Sequence, residues 1–266
     1  MRALVTGVSR GIGRSICIRL AEDSLKRGEQ ACIVATATGK SDDLPHVVEE
    51  LQGMGAKAMG IPGDLSDPEV PGRLVEEAVA FCGGLDALVN NAGFPIMGTL
   101  LDVKLRHWEL MFKVNVTSSL LLGRAAHAAL KASKGAFVAI GSNAAEIVSP
   151  NMTGYSASKA ALAMLVKQMA YEWGPDGIRA NCISPGLTRS RSTEKSFADA
   201  EKLAHRESRL PLRRVAEPED IAAVVSFMVG PDGRYVTGEN LNIDGGVRLV
   251  TMDYLIPPGT YGAKKD

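Results

Sequence analysis

The 266-residue sequence predicts an α/β fold: a doubly wound parallel sheet of about seven strands with helices on both faces, in a single domain. Short runs of β-branched and aliphatic residues alternate with longer amphipathic stretches. The short runs are apolar without interruption, as strands covered on both faces must be, and the helix-length spacing between them implies βαβ crossovers. No linker, repeat or low-complexity block divides this pattern.

The elements follow in order. "RALVT" (2–6) is the first strand, followed by a glycine-rich turn and a helical pattern over 13–26. "ACIVATA" (31–37) and "AKAMGI" (56–61) are strands two and three, with helices over 42–54 and 68–82 beside them. "DALVN" (86–90) leads into an apolar-periodic stretch over 106–132, and "AFVAIG" (136–141) into a helix over 155–173. "RANCIS" (179–184), a helix over 218–229 and "NLNI" (240–243) complete the set. Two segments fit less well. Residues 187–213 form a long charged connection of the kind used as lids or binding loops. The tail after Gly246 starts apolar and ends rich in Pro and Gly. The expected division is therefore a catalytic domain over 1–248, with a lid at about 187–213, and an extension over 249–266.

Composition narrows the function classes. Thirty basic side chains balance thirty acidic ones, which argues against a nucleic-acid partner or an anionic membrane surface. No apolar run reaches the roughly 18–20 residues of a membrane span. Cys17, Cys32, Cys82 and Cys182 are scattered through apolar segments with no metal-ligand spacing, and read as reduced core thiols with no metal site. A core strand directly after Met1 leaves no room for a targeting segment, so a cytoplasmic location is expected.

The first chemical signal is "TGVSRGIG" (6–13), directly after strand one. Gly7, Gly11 and Gly13 permit a tight turn and close approach of backbone N–H groups to a pyrophosphate at the positive end of the next helix. The spacing, Gly-x3-Gly-x-Gly, departs from the general dinucleotide fingerprint. A dinucleotide fingerprint for NAD carries an acid at the end of strand two, but Ala35, Thr36, Ala37 and Thr38 fill every register here. Arg10 is placed to reach a phosphate, which favours NADP(H); Asp42 and Asp43, close behind, keep NAD(H) as the alternative. Further on, "GYSASKAAL" puts Tyr155 and Lys159 on one helix face. That spacing alone does not separate a working phenol–ammonium pair from an ordinary amphipathic helix.

Taken together, "TGVSRGIG", "NNAG" (90–93), "GS" (141–142), "YSASK" (155–159), "NCISPG" (181–186) and "VTGENLNIDGG" (236–246) resemble the ordered motif set of short-chain dehydrogenases/reductases, closest in look to 3-oxoacyl-[acyl-carrier-protein] reductases and similar ketoreductases. The resemblance implies a Rossmann-like sheet and a catalytic set of Asn115, Ser142, Tyr155 and Lys159. Tyr155 would be the acid/base, Ser142 would orient the reacting oxygen, and Asn115 would extend a proton relay. A phenol has a pKa of about 10, so Lys159 is expected to lower it, with small residues at 156–158 leaving clearance for the cofactor. For cofactor binding the resemblance implies Gly7, Ser9, Arg10, Gly11, Ile12, Gly13, Thr36, Thr38, Asp64, Leu65, Asn91, Ala92, Gly93, Tyr155, Lys159, Pro185, Gly186 and Thr188. Candidate substrate contacts are Phe94, Ile96, Asn143, Glu146, Met152 and Leu187, with Arg189 and Arg191 at the start of the lid. The expected activity is interconversion of a ketone, such as a 3-oxoacyl group, and a secondary alcohol with NADP(H). The alternatives are an NAD-dependent catabolic alcohol dehydrogenase or a non-catalytic nucleotide-binding regulator. Family members commonly assemble as homotetramers, so the resemblance implies a homotetramer, with a homodimer as the alternative.

Overall fold

The computed structural model describes residues 1–39, 41, 43–190, 193 and 197–250. Asp42, Arg191 and the tail from residue 251 lie outside the described residues, and with them the expectations attached to those positions.

Seven parallel strands form one sheet: β1 (Arg2–Thr6), β2 (Cys32–Ala37), β3 (Lys57–Pro62), β4 (Ala87–Asn90), β5 (Ala136–Ile140), β6 (Arg179–Pro185) and β7 (Asn240–Ile243). Their order is β3-β2-β1-β4-β5-β6-β7. The chain winds outward from β1 in one direction and from β4 in the other, so their carboxyl ends flank a crevice at the switch point.

Period-two alternation assigns strand side chains to the two faces. Val5, Ile33, Val138 and Ile140 pack against α1 (Gly11–Lys26), α2 (Asp43–Gly53) and the helix over Pro218–Val229. Leu4, Val34, Leu88 and Phe137 pack on the opposite face against α3 (Val70–Cys82) and the helices over Ser118–Ser133 and Gly154–Trp173. Phe137 and Leu88 are fully buried, and each such side chain stabilises the fold by about 1.5–3 kcal/mol.

Three expectations need correction. The stretch over 106–132 is not one continuous helix: α4 (Leu105–Phe112) passes through a π-helical turn (Lys113–Thr117) into α5 (Ser118–Ser133). The connection over 187–213 is not structureless, because it contains a helix over Ala200–Arg209, here α7, capped by the Asp199 carboxylate, which accepts the Glu201 and Lys202 N–H groups (3.1 Å each). That helix is mostly charged and has no fully buried residue; Leu203 is its partly buried contact with the small cluster of Phe197, Leu210 and Val215. Finally, Cys32 and Cys82 are disulfide-bonded, with Cα atoms 5.8 Å apart, while Cys17 and Cys182 are the free, buried thiols. Fifty residues separate the pair, but β2 begins beside the end of α3. The helices over Gly154–Trp173 and Pro218–Val229 are α6 and α8.

Candidate active site

The turn after β1 is built by backbone geometry. Gly7 and Gly11 have φ of +69° and +56°, which residues with a Cβ rarely adopt. A Cβ on Gly13 would lie 2.3 Å from the Gly7 carbonyl oxygen, so α1 approaches the loop as closely as glycine allows. The loop is tied to the end of β4: Asn91 Nδ2 donates to the carbonyls of Thr6 (3.0 Å) and Gly7 (2.8 Å). Thr6 Oγ1 donates to Asn90 Oδ1 (2.8 Å) and accepts the Ala92 N–H (3.0 Å). Asn91 thus serves the scaffold through its side chain, a role that composition alone does not reveal.

Beside this loop lies a cavity of about 250 Å³ lined by Gly7, Ser9, Thr36, Thr38, Asp64, Leu65, Asn91, Ala92 and Gly93, all of them expected cofactor residues, together with Thr6, Ala37, Gly63, Phe94 and Val114. No acid stands at the end of β2 among these. Arg10 leaves the loop toward α2 and forms an ion pair with Asp43, at 2.6 and 2.9 Å.

A second cavity, about 510 Å³, shares Gly7, Asn91 and Gly93 with the first and carries Arg10, Ile12 and Gly13 on one wall. Ser142, Tyr155, Lys159, Pro185, Gly186 and Thr188 line the remainder. Three of the four expected catalytic residues therefore share one cavity, and the fourth, Asn115, is fully buried behind it. The π turn brings Asn115 to Phe94: its Oδ1 accepts the Phe94 N–H (3.1 Å) and its Nδ2 donates to the Phe94 carbonyl (3.3 Å) and to Ser158 Oγ (3.0 Å). A Cβ on Gly93 would lie 3.0 Å from Asn115 Oδ1 and 3.1 Å from Lys159 Nζ, so these two groups converge on one backbone position.

The small residues between Tyr155 and Lys159, expected to leave clearance for the cofactor, do not line the cavity that holds those two side chains. Ser158 is fully buried, donating to the Tyr155 carbonyl (2.7 Å) while accepting from Asn115. Ser156 and Ala157 line an adjoining groove of about 630 Å³ that shares Ala144, Ile147, Ser149 and Met152 with the cavity of Ser142 and Tyr155. The start of α6 is held under strain: Thr153, immediately before it, has φ +43° and ψ −127°, which for a β-branched residue costs about 1–3 kcal/mol. Its Oγ1 donates to the Ile96 carbonyl (2.7 Å).

The electrostatics differ from expectation too. Burial raises the Tyr155 phenol above its ordinary value, opposed by a hydrogen bond with Ser142. The Lys159 ammonium donates to the Ile140 carbonyl (2.7 Å) and stands 5.7 Å from the phenol ring centroid. Burial pulls Lys159 itself down to about 8.

Of the candidate substrate contacts, Asn143, Met152 and Leu187 line the larger cavity, joined by Pro95, Ile147, Ser149 and Val247. Phe94 lies on the nucleotide side, and Ile96 is occupied by its backbone bonds to Met111 and Thr153. Glu146 points to β7 instead of the larger cavity. Arg189 is paired with Glu217 (2.8 Å), away from the cavity lining. Thr6, Asn90, Ser158 and Thr153 support the site without a sequence signal beyond their place inside or beside a motif.

Residues 7–248 match the family described as enoyl-(acyl carrier protein) reductase. The chain is 36% identical over 246 residues to dehydrogenase/reductase SDR family member 4 of Homo sapiens, covering 92% of this chain and 86% of that protein. It is 34% identical over 251 residues to glucose 1-dehydrogenase of Gluconobacter oxydans, covering 93% and 92%. Among solved structures, a blue fluorescent protein from a metagenomic library in complex with NADPH superposes with a TM-score of 0.84 at 38% identity, covering 92% of this chain and 96% of that one. A short-chain dehydrogenase from Burkholderia cenocepacia J2315 in complex with NADP does so with a TM-score of 0.84 at 36% identity, covering 93% and 97%.

Proposed function

The chain belongs to the short-chain dehydrogenase/reductase family and is an enzyme of that type, and from this premise we propose that it interconverts a ketone and a secondary alcohol with NADP(H), using Tyr155 as acid/base. The observation that carries the reading is the convergence of Ser142, Tyr155 and Lys159 on one cavity continuous with the glycine-loop cavity. Similar chains have been solved with NADPH or NADP, and the residue directly after β2 here is Thr38, with no acid at the end of that strand among the cavity-lining residues. The glycine cradle fits a dinucleotide: Gly7, Gly11 and Gly13 leave backbone N–H groups open to a pyrophosphate at the start of α1, and Asp64 and Leu65 line the pocket for the adenine. When bound, the nicotinamide supplies or accepts the hydride.

The protein's own part is orientation and proton transfer. Ser142 Oγ, held by the Ala144 N–H (3.1 Å), hydrogen-bonds the substrate oxygen beside the phenol. In reduction the Tyr155 hydroxyl donates its proton to that oxygen; in oxidation the phenolate takes one from the alcohol. Lys159 and Asn115 hold the group behind the phenol and lead a proton onward. Because burial raises Tyr155, the phenol is protonated through neutral pH and is ready as an acid. Reduction is therefore expected to be fastest below about pH 8, where Lys159 also keeps its charge, and oxidation to climb with pH as Tyr155 loses its proton. A homo-oligomer is supported by exposed Leu105, Met164 and Tyr171, and a cytoplasmic, single catalytic domain over 1–248 completes the reading.

Turnover of a ketone panel with NADPH and with NADH, for the parent and for Tyr155→Phe, tests it. The substitution should lower turnover about a hundredfold or more while the thermal shift given by NADPH persists. Undiminished turnover would remove Tyr155 from the mechanism, and faster oxidation of NADH than of NADPH would favour the NAD-dependent alternative.

A further inference from the structure

Ser142 stands between two anchors that reach the far edge of the sheet. On its N-terminal side, the Gly141 N–H donates to the Ile183 carbonyl (2.7 Å), and a Cβ on Gly141 would lie 2.6 Å from Ser184 Oγ. Ser184 Oγ in turn donates to Asn240 Oδ1 on β7 (2.7 Å). On the C-terminal side, Ser142 opens a single 3₁₀ turn, Asn143–Ala145, which Glu146 closes by donating its N–H to the Asn143 carbonyl (3.0 Å).

The Glu146 carboxylate then returns to the same strand. Its Oε1 accepts Asn240 Nδ2 (2.8 Å) and Asn242 Nδ2 (3.1 Å), and its Oε2 accepts Asn242 Nδ2 (3.0 Å) and faces Arg248 Nη1 (3.5 Å). Asn240 thus holds both sides of Ser142, through Ser184 and through Glu146. Hydrogen bonds to a carboxylate are shorter and stronger than neutral ones, and two amides fix its direction better than one. The exposed guanidinium of Arg248 adds little to this, as solvent-screened pairs do.

From this geometry we infer that Glu146 is a positioning residue: it fixes the turn that aims Ser142 Oγ at the substrate oxygen and at the Tyr155 phenol. This role rests on the reading of Ser142 and Tyr155 as the reacting pair. By sequence its place four residues after Ser142 puts Glu146 among the substrate contacts; here its carboxylate is bound to β7, and the residue lines the adjoining groove and not the cavity of Ser142 and Tyr155. The strap also makes β7, an edge strand with no catalytic residue, part of the proton-transfer machinery.

Kinetics of the full-length enzyme with NADPH test the assignment. Glu146→Ala should lower kcat about tenfold or more while KM for NADPH stays within about twofold, since the nucleotide cavity does not contain this residue. The alkaline limb of the kcat profile should move upward, because a displaced Ser142 no longer opposes the burial that raises Tyr155. Glu146→Gln sets an amide against the Asn amides and should lose activity as well. Adding Asn242→Asp to Glu146→Gln reverses donor and acceptor across the pair and should recover most of the loss, and Arg248→Ala should cost less than about threefold. Parental kcat and pH profile in Glu146→Ala, or equal loss in Glu146→Gln with and without Asn242→Asp, would overturn the inference. If Glu146→Ala does not fold, the Gln and Gln/Asp variants decide alone. Retained turnover in Tyr155→Phe would instead strike the reading of the reacting pair.

Discussion

The two ends of the crevice are held in place by different means. At the nucleotide end the geometry rests mainly on the backbone: two glycines at positive φ, a third packed against a carbonyl, and strands whose register sets the spacing, with the Asn91 and Thr6 side chains tying the loop to β4. At the catalytic end it belongs to side chains that reach across the sequence. Asn115 holds Phe94, twenty-one residues away in the chain, Lys159 reaches Ile140, nineteen away, and Glu146 reaches β7, about ninety-five away. A backbone site is defined wherever the turn forms, whereas a side-chain site is defined only once the whole sheet is assembled. Substitutions should therefore act differently at the two ends.

The severest test is Gly13→Ala. The added methyl would meet the Gly7 carbonyl oxygen at 2.3 Å and the Asn91 amide nitrogen at 2.7 Å, and neither is the free end of a flexible side chain. A loss of about 3 kcal/mol or more in unfolding free energy, with no thermal shift on adding NADPH, is expected. A variant that kept both stability and cofactor response would show that the loop yields, and the contrast between the ends would fall.

At the other end, Asn115→Ala removes three hydrogen bonds without adding a clash. It leaves the Phe94 N–H and carbonyl and the buried Ser158 hydroxyl short of a partner, for a cost of about 2 kcal/mol. Turnover should fall about tenfold or more, because Ser158 also accepts from Asn115 while bonding the Tyr155 carbonyl, and KM for NADPH should rise by much less than that, through Phe94 alone. Equal damage to cofactor binding would mean that the ends are coupled.

The same contrast explains how much was legible in the sequence. Glycines 7, 11 and 13 announce a loop because only glycine tolerates its φ values and close approaches, and apolar runs announce strands because a doubly covered sheet demands them. The residues proposed as catalytic were named from a motif, but the groups that hold them were not. Asn115 lies in a helical pattern whose periodicity does not show a π turn, because the apolar face continues on both sides of it. Ser158 looked like clearance because small size has the same appearance whether a residue faces a cofactor or is buried against an amide. Glu146 looked like a substrate contact because its real partners are on a strand ninety residues later. Cys32 and Cys82 looked like separate core thiols because pairing across fifty residues depends on the packing of α3 beside β2.

The smallest expected effect on stability is also the sharpest probe of the nucleotide end. Arg10 is the charged side chain of the glycine loop and reaches out to α2, where its ion pair with Asp43 is partly exposed, with 47% and 27% of the two side chains accessible. Such pairs contribute less than about 1 kcal/mol, so Arg10→Ala should unfold almost as the parent does. A 2′-phosphate, however, gains from a guanidinium what a 2′-hydroxyl does not. Affinity for NADP should therefore fall about tenfold while affinity for NAD stays the same, as read by calorimetric titration of each. If both affinities are unchanged, discrimination rests on Thr38 and the backbone, and the nucleotide end owes nothing to a side chain's charge. If both fall together, Arg10 acts on the loop itself, and the division between a backbone-built and a side-chain-built end would have to be redrawn at this residue.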